Sequence, residues 1–192
     1  MDVRGIGVFG SSESLPGEPE YERARRIGRL IAGAGFAVVC GGYGGIMEAS
    51  SRGAREAGGR AIGITCAEFR SRTANPYLTE LHEEPDLFAR TRRLIGSSRS
   101  FIILPGKSGT LAEAVFLWAL RRAGLGEGKP VVLVGDIWPR VLEALRSSKL
   151  LEAESLSDTT IAIDEEEAVV KATAERAEAG HGESRTGSDA QG

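Results

Sequence analysis

The chain reads as an α/β protein built on a doubly wound parallel sheet. Three observations predict it. Short apolar runs alternate with stretches of helical period, glycine clusters fall where the runs end, and the runs lack the polar alternation of half-exposed strands.

Residues 3–9 form the first strand, closed by Gly10-Ser11-Ser12. Residues 20–34 follow as an amphipathic helix, with Ala24, Ile27, Leu30, Ile31 and Ala34 on one face and Gly35 as its stop. Residues 36–40 are continuously apolar, the pattern of a parallel strand covered on both sides. A helix over 46–57, stopped by Gly58-Gly59, leads to a third strand over 60–65. Residues 67–77 are irregular and contain Asn75-Pro76; such a stretch in a compact domain is a functional or mobile loop. The rhythm resumes with a helix over 85–96, a fourth strand over 101–104 and a helix over 109–123. A strand over 130–134, a helix over 139–147, an edge strand over 160–163 and a charged helix over 165–178 complete it. Residues 180–192, rich in Gly, Ser and charge, read as a disordered tail, leaving residues 1–179 as one Rossmann-like, nucleotide-binding domain with helices on both faces of its sheet. Ligands of such sheets bind beyond the carboxyl ends of the strands, where strand order reverses. The site is therefore expected from the loops after the first, second and fourth of these strands.

Composition narrows the partners. The 192 residues carry a net charge of −3 with basic residues dispersed along the chain, which argues against nucleic acid and membrane surfaces. No run approaches the roughly 18 apolar residues that span a bilayer, and a cytoplasmic protein is expected. Cys40 and Cys66 are expected as buried free thiols. His82 and His181 have no ligand spacing with a cysteine, so neither a metal nor another cofactor is expected.

The run Leu104-Pro105-Gly106-Lys107-Ser108-Gly109-Thr110-Leu111-Ala112-Glu113 carries the most chemistry. A strand entering a Pro/Gly turn and then a helix leaves the first helical amides free, a ready seat for phosphate. Gly106, Lys107, Ser108, Gly109 and Thr110 are the phosphate-binding candidates, and Glu113 follows one turn beyond Thr110. The run is not a Walker loop, and no carboxylates are spaced to hold magnesium between phosphates, so a monophosphate fits better than a triphosphate. A plain capped helix, with Ser108 as N-cap and Glu113 as a favourable early acid, gives the same pattern. Gly41-Gly42-Tyr43-Gly44-Gly45 lacks the dinucleotide fingerprint, because the first turn is Gly10-Ser11-Ser12 and the second strand ends in Cys40. Its glycines serve tight turns equally well. On the helix before the fourth strand, Leu87, Phe88, Thr91, Leu94 and Ile95 mark the expected buried stripe. Arg90 and Arg92 fall on its opposite edges and Arg93 points away; periodicity does not choose between the first two, and a solvated basic face satisfies it as well.

Val8-Phe9-Gly10-Ser11-Ser12, Gly41-Gly42-x-Gly44-Gly45-Ile46-Met47, the arginine helix and Pro105-Gly106-x-x-Gly109-Thr110-x-x-Glu113 occur in that order over about residues 5–135. Together they resemble the LOG (Lonely Guy) family, cytokinin-activating nucleoside 5′-monophosphate phosphoribohydrolases often mislabelled lysine decarboxylases. The family's last motif reads P-G-G-x-G-T-x-x-E, after an R-K-x-x-M helix whose arginine precedes the glutamate by the spacing between Arg90 and Glu113. The resemblance implies hydrolysis of the N-glycosidic bond of a purine nucleotide, with Arg90 and Glu113 catalytic. It also implies Ser11, Ser12, Gly41, Gly42 and Met47 as nucleoside contacts, and a homodimer with Trp118 either at the interface or in the core. Related proteins of similar architecture carry molybdenum cofactor, so binding without chemistry is the alternative. The chain departs from the family at four places. Lys107 replaces the second glycine, Thr91 the lysine, Leu94 the methionine and Glu48 a glycine. A lysine at 107 is strained if φ there is positive; otherwise its ammonium offers phosphate a contact.

Overall fold

The computed structural model describes residues 5–125 and 128–174. The expected strand residues 3–4, the helix residues 175–178 and the tail over 180–192 lie outside the described residues. The strands are β1 (Gly5–Phe9), β2 (Ala37–Cys40), β3 (Ala61–Cys66), β4 (Glu80–Glu84), β5 (Ser100–Ile103), β6 (Val131–Val134) and β7 (Thr159–Ala162). The helices are α1 (Pro19–Gly33), α2 (Ile46–Glu56), α3 (Leu87–Gly96), α4 (Ser108–Arg122), α5 (Ile137–Ser147) and α6 (Glu165–Thr173). All seven strands pair in parallel in the order β4-β3-β2-β1-β5-β6-β7, the doubly wound α/β arrangement expected.

The central strands divide their side chains between two cores by the period of two. Ile6 and Val8 of β1, with Ile102 and Leu104 at β5, pack under α1, α2 and α6. Phe9 and, from β5, Phe101 and Ile103 face the other way, under α3, α4 and α5. Trp118 belongs to this second core: it is 1% exposed, and its indole N–H donates to Thr159 Oγ1 at 3.1 Å. Of the two readings open for Trp118, interface or core, the structure shows the core. Cys40 and Cys66 are buried and free. No helix among the described residues is long and apolar enough to cross a membrane.

Two features escaped the sequence pattern. β4 reads Glu-Leu-His-Glu-Glu, with one apolar residue in five, because it is an edge strand held by its ladder to β3 and by little core. The 3-10 turn Ala153–Leu156, whose Leu156 joins the second core, has no periodicity to show.

α1 and α2 meet through glycine. A Cβ on Gly28 would lie 2.0 Å from the Ser50 carbonyl oxygen, and one on Gly53 would lie 1.9 Å from that of Arg25. Close approach of two backbones fixes where the loops preceding these helices sit. Alanine for glycine inside a helix is ordinarily worth about 1 kcal/mol in its favour. At Gly53 the methyl strikes backbone that has no rotamer to escape into. Gly53→Ala is expected to lose about 2–4 kcal/mol in urea unfolding, while Gly33→Ala, whose Cβ meets nothing within 4 Å, stays as stable or slightly more so.

Candidate active site

Strand order reverses between β1 and β5, and a cleft of about 710 Å³ opens at the carboxyl ends of the strands there. The loop after β1 contributes Gly10, Ser11, Ser12 and Glu13, and the loop and helix after β2 contribute Gly41 and Met47. α3 supplies Arg90, Thr91 and Arg92; the start of α4 supplies Lys107, Ser108, Gly109, Thr110 and Glu113. Backbone bonds stitch these loops together: Ser11 N–H donates to Pro105 O at 3.1 Å, and Ile46 N–H donates to Ser11 O at 2.8 Å.

Two glycines expected in the site are held by close packing, Gly42 buried and Gly106 exposed. Gly42, at φ +80°, turns toward β3, where a Cβ would meet Thr65 Cγ2 at 2.9 Å. Gly106 packs on Thr110, where a Cβ would lie 2.2 Å from Oγ1, and on the Ser11 amide at 2.9 Å. Its role is to let the two loops close on each other.

The start of α4 is uncapped by side chains. Leu111 N–H is the first to donate back, to Lys107 O at 3.0 Å, so the amides of Ser108, Gly109 and Thr110 lie outside the helical ladder. Lys107, not Ser108, holds the N-cap position, with φ −91° and ψ −159°. Its backbone is therefore extended and unstrained, and a side chain there costs nothing. The ammonium pairs with the Glu13 carboxylate across the mouth of the cleft.

Arg90 is the arginine that the fold withdraws from water. It is 7% exposed; its Nε donates to Ile64 O at 2.8 Å and its Nη2 to Gly41 O at 3.3 Å. The rings of Tyr43 and Phe69 lie 5.8 and 5.9 Å from the guanidinium carbon. Gly41 is required by this packing, because a Cβ would sit 1.9 Å from Arg90 Nη2. Arg92 is exposed at the cleft wall, and Arg93 pairs with Glu84 at 2.8 Å and with His82 Nδ1 at 2.8 Å. The free guanidinium edge of Arg90 turns to Glu113, Nη1 to Oε1 at 4.0 Å. Glu113 is 21% exposed and borders the cleft. Burial pushes its carboxyl up to about 7, against the opposing pull of Arg90.

The expected apolar stripe of α3 is wrong in its first turn. Leu87 and Phe88 are exposed, Phe88 at 84%, and only Arg90 and Leu94 are buried. That end of α3 overhangs the cleft rather than the sheet, so its apolar side chains border an opening. The irregular segment supplies two wall residues the sequence did not single out, Phe69 and Arg72, with the Arg72 guanidinium 5.1 Å from the Phe69 ring centre. Asn75 ties the segment down: its N–H donates to Gly42 O at 2.9 Å and its Nδ2 to Tyr43 O at 3.1 Å. An aromatic and an arginine three apart in an unpatterned stretch beside the site was the available signal. The departure at Glu48 lies away from the cleft, where its carboxylate accepts from the Tyr21 hydroxyl at 2.8 Å.

The chain is 33% identical over 153 residues to an uncharacterized protein of Archaeoglobus fulgidus, covering 76% of this chain and 88% of that one. It is 34% identical over 119 residues to the cytokinin riboside 5′-monophosphate phosphoribohydrolase of Mycobacterium tuberculosis, covering 61% of this chain and 63% of the enzyme. The molybdenum cofactor binding protein of Rippkaea orientalis superposes with a TM-score of 0.63 at 27% identity, over 86% of this chain and 92% of that one. The SLOG cluster4 family model matches residues 3–170, and the chain belongs to that family.

Proposed function

We propose that the protein is a hydrolase that cleaves the N-glycosidic bond of a purine nucleoside 5′-monophosphate, giving free base and ribose 5-phosphate. The observation that carries this reading is the convergence of Arg90 and Glu113 at 4.0 Å in a cleft that also holds the open start of α4. The relative of named activity supports a hydrolase role. The 5′-phosphate sits on the amides of Ser108, Gly109 and Thr110, and the Lys107 ammonium stands at the outer edge of that seat. That remote anchor holds the ribose in its reacting geometry. As the bond from C1′ to the base nitrogen lengthens, its electron pair leaves with the base and the sugar gains oxocarbenium character. Ionised Glu113 stabilises that charge and takes a proton from the water whose oxygen bonds to C1′; that proton passes through solvent to the departing base, which leaves neutral, and Glu113 is ionised again. A gap of 4.0 Å between Nη1 and Oε1 lets one ribose hydroxyl lie within hydrogen-bond reach of both groups. Ser11, Ser12, Gly41 and Met47 contact the nucleoside. The working unit is one nucleotide-binding domain acting as a homodimer in the cytoplasm. Its interface is the outer face of α4, where Leu111, Val115 and Phe116 are exposed.

A second reading, a carrier of molybdenum cofactor, rests on the named function of the Rippkaea orientalis neighbour. Incubation with AMP and with isopentenyladenosine monophosphate separates the two. Free base supports the hydrolase; tight retention of the cofactor with no base released supports the carrier.

Glu113→Gln is expected to lower kcat by about a hundredfold or more. Stability distinguishes lost chemistry from lost fold. Native Glu113 keeps its proton up to about pH 7, whereas the unfolded carboxyl releases it near 4.5. Wild-type stability therefore falls as pH rises between those values, and the cost persists above them. Thermal unfolding at pH 8 is expected to find Glu113→Gln more stable by up to about 3 kcal/mol, with no difference at pH 4. For the wild type, kcat is expected to rise with pH through about 7 as Glu113 ionises. Arg90→Met removes the charge that favours the ionised acid, so its pH–rate profile is expected to shift to higher pH.

A further inference from the structure

The charges at the phosphate end of the cleft do more than attract an anion. Glu13 lies two residues past Ser11, and its amide donates to Ser11 Oγ at 3.1 Å. The Ser11 amide in turn donates to Pro105 O at 3.1 Å, so the turn bearing Glu13 is fastened to the turn that opens α4. From there the Glu13 carboxylate reaches the Lys107 ammonium, and both side chains border the cleft. They are 63% and 72% exposed, which puts the pair at the solvent rim of the cleft.

We infer that Glu13 is a specificity-determining residue that limits the ligand to a single phosphate. The inference rests on the phosphate seat of the preceding section and deepens it. A monophosphate ends at the amides of Ser108, Gly109 and Thr110, where the partial positive charge of the helix start favours it. A second phosphate extends outward onto the rim. There the Lys107 charge, which alone would welcome a polyphosphate, is already matched by Glu13. The added phosphate meets a like charge across a short distance. An ion pair this exposed adds little to folding, so replacing Glu13 changes charge at the rim and leaves the fold intact.

The test is calorimetric binding of AMP and ADP at low ionic strength without divalent cations. It compares the protein carrying Glu113→Gln, which keeps the ligands whole, with the same protein carrying Glu13→Gln or Glu13→Lys in addition. With Glu13 in place, AMP is expected to bind about tenfold or more tightly than ADP. Glu13→Gln is expected to strengthen ADP by about tenfold while leaving AMP within about threefold, and Glu13→Lys to go further. Added salt should shrink the difference. An ADP-to-AMP ratio unmoved by both substitutions, or equal affinity with Glu13 present, overturns the inference while leaving the hydrolase reading standing. Binding of neither nucleotide overturns the phosphate seat and this inference with it. The expected ratios in a native chain that never releases base overturn the hydrolase reading alone.

Discussion

A guanidinium withdrawn from water organises this molecule's site. A buried cation is tolerated only where its donors are used and its charge is answered. For Arg90 the donors end on the carbonyls of Ile64 and Gly41, one side of it lies against Tyr43 and Phe69, and its charge is answered by Glu113. The answer is incomplete, because 4.0 Å is too long for a hydrogen bond. Burial then outweighs attraction and leaves the acid able to exchange a proton near neutrality. Glu56 shows the opposite case in the same chain. Arg25, Arg29 and Arg52 approach it at 2.7, 3.1 and 3.0 Å, and together they hold its carboxyl down to about 2. A closed ion pair serves structure, and an open one leaves room for a substrate hydroxyl.

The rest of the fold delivers residues to that guanidinium. Reversal of strand order beside β1 collects three loops at one end of the sheet, and the amides linking Ser11, Pro105 and Ile46 keep them in register. The Asp86 side chain caps α3 by accepting from Ala89 N–H at 2.8 Å, which fixes the turn that presents Arg90. The departures from the LOG pattern are absorbed at separate places. Glu48 is taken up by Tyr21, Leu94 fills the second core, and Lys107 stands at an extended N-cap facing Glu13. Thr91 remains in the cleft wall with its hydroxyl donating to Leu87 O.

Continuous apolar runs and glycine stops were enough to read the parallel α/β fold, since a strand covered on both faces has no other composition. They were silent on β4, whose residues answer to solvent on one side and to backbone pairing on the other. The order Pro105 to Glu113 showed the helix start and its acid, because capping and turn chemistry are local. Which of Arg90 and Arg92 turns inward was open by periodicity and chosen only by resemblance. The choice is made physically by carbonyls from β3 and from the loop after β2, far away in sequence. Leu87 and Phe88 misled for the same reason, since an apolar residue bordering a cleft and one in a core look alike in a linear pattern.

The sequence by itself determined the strands buried on both faces, the turns between them and the open helix start, all of which follow from local composition and backbone geometry. Tertiary structure alone decided the 4.0 Å gap between Arg90 and Glu113, the burial that raises the acid, and the entry of Phe69, Arg72 and Glu13 into the cleft wall. Distances and desolvation depend on what distant segments bring alongside, and no local pattern encodes them.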